Sequence, residues 1–299
     1  MADYNNISLD PVRPSWLPEG MTASMVRLDK LDPVISGNKW FKLKYNLEAA
    51  RQEGYQTIIT FGGAWSNHIA ATAQACRENG LSCIGIIRGD EMQSDTNPTL
   101  RHAAANGMQL RFVSRAQYSA MQLPGNPDLE KLRQEGFVIP EGGHNAAGAR
   151  GCEEILSLFP LEDYSHILCA AGTGTTAAGL INAAGVHQEV LAIAVLKGAG
   201  FLEQAIADLL SPQHLSSWKL LTAFHQGGYG KINQELIAFM NEFYLETGIP
   251  TDIIYTGKMV MAFRQLLEQQ YFPAHSKILL IHTGGLQGNQ SQQQGILAF

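Results

Sequence analysis

The stretch "HILCAAGTGTTAAG", residues 166–179, decides how this chain is read. A short run of apolar and small residues ends on Gly172, Thr173 and Gly174. Thr175 and Thr176 then open a helical pattern, "TTAAGLINAAG". An apolar run of this length between turn residues is a strand buried on both faces. Glycines at its end free the backbone, threonines add hydroxyls, and the helix start turns N–H groups toward one spot. That arrangement is an anion site. A tight turn with helix-capping threonines is the plainer alternative. No Gly-Lys-Ser/Thr follows, so the stretch is not a P-loop. No acidic residue closes a second strand about twenty residues on, so it is not a dinucleotide fingerprint. The reading is a site for one small phosphate group.

The same unit recurs on both sides of this stretch. "TIITFGG" precedes the helical pattern "SNHIAATAQACRENG", and "SCIGIIRG" and "MQLRFV" flank "TLRHAAANG". Further on come "EVLAIAVLKG" with "GFLEQAIADLL", two helical patterns, and a last strand, "KILLIHTGG". Alternation of this kind predicts an α/β fold with open, twisted parallel sheets and helices on both faces. The turn-rich "IPEGGHNAAGARG", residues 139–151, is the expected domain joint. It predicts a smaller domain, residues 45–147, inserted into a larger one, residues 1–44 and 148–299, with the active site in the cleft between them.

The length of 299 residues accommodates two such domains. A net charge of -6 leaves no basic footprint for nucleic acid. The first ten residues, "MADYNNISLD", lack the apolar run of a signal peptide. No stretch approaches the ~18 apolar residues of a membrane span. Cys76, Cys83, Cys152 and Cys169 are scattered without a C-x-x-C pair and read as buried, reduced thiols, which suits a cytoplasmic protein. No metal site is expected.

Three strand ends carry small polar tips: "TFGGAWSNH", residues 60–68, the stretch quoted first, and "IHTGG", residues 281–285. Ligands of open parallel sheets sit at such carboxyl ends, so one ligand held from several sides is expected. Ser66 is read either as a helix cap or as a holder of a substrate carboxylate. "SGNKWFK", residues 36–42, supplies a lysine, Lys39, directly after turn residues. Alone it reads as a solvated lysine at a helix start. Beside a phosphate cradle it reads as the amine that forms a Schiff base with an aldehyde cofactor. Pyridoxal phosphate has that aldehyde, one phosphate, a phenolic oxygen and a ring nitrogen.

In order, "SGNKWFK", "GGAWSNH", "GTGTTAAG", "DIIYTGK" and "IHTGG" resemble the motifs of fold type II pyridoxal-phosphate enzymes, the tryptophan synthase β-like group. More narrowly, the chain resembles the 1-aminocyclopropane-1-carboxylate deaminase and D-cysteine desulfhydrase family over nearly its whole length. The resemblance implies that Lys39 holds the cofactor and moves the Cα proton. It implies that Asn67 bonds the phenolic oxygen, that Ser66, Asn67 and His68 hold the substrate carboxylate, and that Thr173, Gly174, Thr175 and Thr176 hold the phosphate. Tyr255 would lie against the cofactor ring and Tyr229 would be a second active-site tyrosine; core packing is the alternative for both. Departures are Phe41 where the family often has arginine and His68 where glutamine often stands. Thr256 and Thr283 replace the glutamate and leucine that resemblance leads one to expect in a cyclopropane deaminase, and would lie near the pyridine nitrogen. The implied reaction is α,β-elimination on a small amino acid, D-cysteine desulfhydrase-like, by a homodimer. The alternatives are aminocyclopropane-carboxylate deamination and, from another class, a non-catalytic nucleotide-binding protein.

Overall fold

The computed structural model describes residues 2–299. In chain order the elements are β1 (Leu9–Val12), β2 (Thr22–Arg27), α1 (Asn38–Gln52), β3 (Thr57–Gly63), α2 (Asn67–Glu78), β4 (Ser82–Arg88), α3 (Pro98–Ala105), β5 (Met108–Val113), α4 (Arg115–Met121), α5 (Pro127–Glu135) and β6 (Phe137–Ile139). They continue with α6 (Ala146–Glu153), β7 (His166–Ala171), α7 (Thr175–Ala183), β8 (Glu189–Ala194), α8 (Phe201–Ala207), β9 (Ser217–Leu221), α9 (Gln234–Thr247), α10 (Thr256–Glu268) and β10 (Lys277–His282).

Two sheets result. A four-stranded sheet has the order β5-β4-β3-β6 and is parallel throughout. A six-stranded sheet has the order β1-β2-β10-β7-β8-β9, parallel except for the antiparallel edge pair β1–β2. Every residue of β7 is buried, and so are the last five of β10. This follows from apolar clusters on both faces of the larger sheet. The smaller sheet likewise separates two clusters.

The last strand, β10, sits between β2 and β7, so both ends of the chain build the larger sheet while β3–β6 form the smaller one. Residue 44, the expected end of the first large-domain segment, falls inside α1. That helix serves both bodies: Phe41 packs into a cluster of the larger sheet, and Leu43, Leu47 and Ala50 into one of the smaller.

In each sheet the strand order reverses once, between β7 and β10 and between β3 and β6. Loops leaving such a pair diverge and open a crevice at the carboxyl edge. The two crevices face a single cavity, lined by Ser66 and Asn67 after β3, Glu141 and Gly142 after β6, Thr173 after β7 and Thr283 after β10. Among the described residues no helix is long and apolar enough to cross a membrane and no side-chain group resembles a metal site. All four cysteines are free and buried, as expected from sequence.

Candidate functional site

The cavity encloses about 1040 Å³. Lys39, in the first turn of α1, reaches into it with a half-buried side chain. Its position depends on Gly37, whose φ of 68° and ψ of -146° suit only glycine. A Cβ there would fall 1.9 Å from the Thr283 carbonyl oxygen. The turn before Lys39 and the end of β10 are therefore in direct contact, and Asn38 N donates to Thr283 O at 3.2 Å.

Lys39 Nζ donates to Asn38 Oδ1 at 2.7 Å, and Asn38 Nδ2 donates to Thr176 Oγ1 at 2.7 Å. One buried amide thus ties the lysine to the glycine–threonine loop. Burial, and then repulsion from Lys42, lower the Lys39 pKa to about 7. A large fraction of it is a free amine near neutrality, the form a nucleophile or base needs. Lys42, one turn on, is buried and its amine has no hydrogen bond or ion pair among the described residues. Burial lowers its pKa as well.

The loop after β7 leads into an uncapped helix start. Gly174 takes φ of 81° and ψ of -20°, and the first turn of α7 has no capping side chain. Thr175 and Thr176 are nevertheless buried, so the N–H groups of that turn face the protein rather than bulk water. Thr173, Gly174 and Thr176 line the cavity. Thr175 does not; its hydroxyl lies 3.2 Å from both Thr173 Oγ1 and His144 Nδ1. The threonines do not cap α7, so the plainer of the two sequence alternatives is not the geometry found.

At Ser66 the two readings coexist. Its Oγ accepts from Ile69 N at 3.3 Å as the cap of α2, and its own O–H has no acceptor among the described residues, leaving it free toward the cavity. Asn67 lines the same wall, and its Oδ1 is buried without a partner. Amide oxygen and nitrogen exchange by a 180° flip, so this position can present either to a ligand.

His68 departs from expectation. Thr60 Oγ1 donates its single proton to Ile139 O at 2.8 Å, so His68 Nε2, 2.9 Å away, is the donor to Thr60. Nδ1 is then a bare lone pair, buried and unpartnered. Burial, with the Lys39 and Lys42 charges, pushes the His68 pKa down to about 3. A neutral ring offering a lone pair repels a carboxylate, so the side chain is not set up for the carboxylate role that resemblance implied; only its backbone N–H remains suited to it.

Tyr255 faces Lys39, whose Nζ lies 5.8 Å from its ring centroid. Its hydroxyl donates to that of Tyr229 at 3.5 Å, and Tyr229 is nearly half exposed at the mouth. Both tyrosines line the cavity rather than the core. Thr283 also lines it, with its hydroxyl unbonded. Thr256 does not reach the cavity. Its hydroxyl donates to Asp252 Oδ1 at 2.7 Å and accepts from Asp252 N at 2.7 Å. Asp252 is itself committed, accepting also from the backbone N–H groups of Ile254, Tyr255 and Thr256. Sequence reasoning missed Asn38 as the bridge and Asp252 as the acceptor for the backbone N–H groups leading into α10. An aspartate four residues ahead of a threonine at a helix start was the available signal.

Residues 20–284 match the family described as "Pyridoxal-phosphate dependent enzyme". A bifunctional D-cysteine desulfhydrase/1-aminocyclopropane-1-carboxylate deaminase of Arabidopsis thaliana is 29% identical, covering 91% of this chain and 74% of the relative. A D-cysteine desulfhydrase of Salmonella paratyphi A is 28% identical, covering 87% and 86%. The crystal structure of an ACC deaminase homologue superposes with a TM-score of 0.76 at 25% identity, covering 95% of this chain and 90% of that one.

Proposed function

Because this chain belongs to the pyridoxal-phosphate-dependent enzyme family, we propose that it catalyses α,β-elimination on a small amino acid, with D-cysteine the reference substrate. Pyridoxal 5′-phosphate is the cofactor, and the two-sheet architecture is the tryptophan synthase β-like one of fold type II. The balance is one cysteine and one water to one pyruvate, one ammonia and one hydrogen sulfide.

The observation that carries this reading is Lys39 in the cavity, tied through Asn38 to a buried, uncapped helix start, with burial lowering its pKa to about 7. The residues present fit the cofactor. The α7 N-terminus with Gly174 and the unpaired Lys42 would hold its phosphate, the orphaned Asn67 amide its phenolic oxygen, Tyr255 its ring, and Thr283 its ring nitrogen. Once bound, the cofactor supplies an aldehyde for a lysine amine and a conjugated ring that accepts electrons from Cα. Ser66 Oγ and the N–H groups at the start of α2 would hold the substrate carboxylate, fixing Cα toward Lys39. Lys39 Nζ would take the Cα proton, and the Cβ–S bond would break with sulfur keeping the pair.

Thr283 bears on substrate choice. A hydroxyl gives the ring nitrogen a neutral hydrogen bond, whereas a carboxylate would hold it protonated. Asp252 has its oxygens engaged by four donors, and Thr256 drops out of the argument because its hydroxyl is spent on Asp252. A weaker electron sink favours a substrate with a good leaving group. Opening the ring of 1-aminocyclopropane-1-carboxylate to 2-oxobutanoate is the second reading, favoured by the names of the Arabidopsis relative and the solved homologue. In a screen of small D- and L-amino acids for 2-oxo acid and sulfide, kcat/KM for D-cysteine is expected to exceed that for the cyclopropane substrate by ~100-fold or more. Equal values, or an advantage for the cyclopropane, reverse the order of the two readings.

Lys39 also sets a pH dependence. Its lowered pKa makes the ammonium dominant below pH 7 and the amine dominant above. Cofactor uptake by apoprotein is expected to speed up through pH ~7 and level off by ~8, where an ordinary lysine would still be gaining toward ~10.4. A stopped-flow series across pH 6–10 that keeps rising beyond pH 9 contradicts this.

The division into residues 1–44 with 148–299 and residues 45–147 is part of the proposal. It is supported by the two sheets, although its boundary at residues 147–148 falls inside α6 as residue 44 falls inside α1. A cytoplasmic homodimer completes the proposal. Light scattering of the purified protein would test the dimer, and cell fractionation the location.

A further inference from the structure

Beyond Lys39 and Lys42, the cavity wall carries two cations from the smaller sheet's side, Arg88 and Arg133, and one carboxylate, Glu141. Arg133 is ion-paired with Glu130. Arg88 is different. It ends β4, is half-buried, and its guanidinium makes no hydrogen bond or ion pair among the described residues.

Its position is nevertheless held. The guanidinium carbon lies 5.4 Å from the centroid of the Tyr118 ring, and Tyr118 is buried against Phe61, 5.9 Å away between centroids. Its Nη2 also lies 3.4 Å from where a Cβ on Gly63 would be. Packing over an aromatic ring fixes a guanidinium without consuming its N–H donors. Five donors in a fixed fork are left for a planar oxyanion.

Neighbouring contacts run from Lys39 into the cavity: its Nζ lies 5.8 Å from the Tyr255 ring centroid, and the Tyr255 hydroxyl lies 3.5 Å from that of Tyr229. Arg88 and Glu141 line the same cavity as these residues. With the amine at the cofactor and the carboxylate at the start of α2, the group on Cβ is the part of a substrate left free to meet Arg88, which lines the same cavity as Lys39. The cavity of about 1040 Å³ has room for a substituent larger than a thiol. Glu141 is the opposing charge, and it forms no ion pair with Arg88.

We propose that Arg88 is a specificity determinant that binds a carboxylate at the distal end of the substrate's β-substituent, so that the preferred substrates are cysteine derivatives whose sulfur carries an anionic tail. This rests on the elimination reading above. The reaction is unchanged: the Cβ–S bond breaks, and the leaving thiol carries the tail away.

The test compares three tails of similar size, S-(2-carboxyethyl)-, S-butyl- and S-(3-aminopropyl)cysteine, in both configurations, on the holoenzyme. Thiol and 2-oxo acid release give kcat/KM, and competition against D-cysteine gives affinities. The carboxylate tail is expected to exceed the butyl tail by about tenfold or more in kcat/KM. Arg88→Gln should collapse that ratio toward one, and Arg88→Lys should keep part of it. The ratio is internal to each variant, so a general loss of stability does not imitate the effect. Three outcomes overturn the inference: equal turnover of carboxylate and butyl tails, a ratio unmoved in Arg88→Gln, or a preference for the amine tail that disappears in Glu141→Gln. If neither D-cysteine nor any of the three releases 2-oxo acid, the elimination reading falls and this inference falls with it. Turnover of D-cysteine without an anionic preference removes this inference alone.

Discussion

Lys39→Ala should lose elimination activity by ~10³-fold or more, together with the visible absorbance of the attached cofactor, while its thermal unfolding stays close to that of the parent. Lys39 is half-buried and makes one side-chain hydrogen bond, to Asn38, so its removal leaves little packing behind. Lys42→Ala is the matched comparison. Lys42 is more deeply buried and has no bonded partner. Its loss should weaken cofactor affinity, through the phosphate, yet leave the attached-cofactor absorbance at saturating cofactor. Activity surviving in Lys39→Ala, or absorbance lost in Lys42→Ala and kept in Lys39→Ala, would exchange the roles of the two lysines.

The second large effect is expected at Gly37, two residues before Lys39. Gly37→Ala would drive a Cβ to 1.9 Å from the Thr283 carbonyl oxygen, in a backbone conformation with φ of 68° and ψ of -146°. Backbone on both sides must move. We expect a loss of ~3 kcal/mol or more in urea unfolding, with cofactor retention falling in parallel because both Lys39 and Thr283 are displaced. Gly54→Ala provides the control. Gly54 also has a positive φ, 79°, but nothing lies within 4 Å of its Cβ position. There the cost should be the ~1–2 kcal/mol of a left-handed residue alone. Equal losses at the two glycines would mean that the contact between the Lys39 turn and β10 is not what fixes the site.

The contrast between these two glycines shows where sequence reading stops. Both stand at turns in the sequence, and only the tertiary contact with Thr283 tells them apart. Strands β3, β4, β7, β8 and β10 were legible because burial on both faces leaves continuous apolar runs. β5, an edge with only Met108 buried, was read from its place in the strand–helix alternation. β1, β2, β6 and β9 were not. β1 is an antiparallel edge containing Pro11, β6 has three residues, and β9 is an edge with no fully buried residue. Edge strands lack the two-sided burial that makes the pattern.

Within the site, residues at polar strand ends were found because glycines and hydroxyls interrupt an apolar run there: Ser66, Asn67, Gly174, Thr176 and Thr283. Thr256 was drawn into that group by its resemblance to a family position. The chain instead bonds it to Asp252. Lys42 and Arg88 stand out only as cations without partners. A missing partner is a property of the folded arrangement and leaves no mark in the sequence around them. The same holds for His68, whose tautomer follows from the proton that Thr60 gives to Ile139.

Every role proposed for the site depends on which lysine carries the cofactor. Borohydride reduction of the purified holoenzyme, followed by proteolysis and mass spectrometry of the peptides spanning residues 38–44, reads this directly. The cofactor's mass is expected on Lys39, at close to one per chain, with Lys42 unmodified. Cofactor mass on Lys42, or none on the peptides spanning residues 38–44, would contradict it.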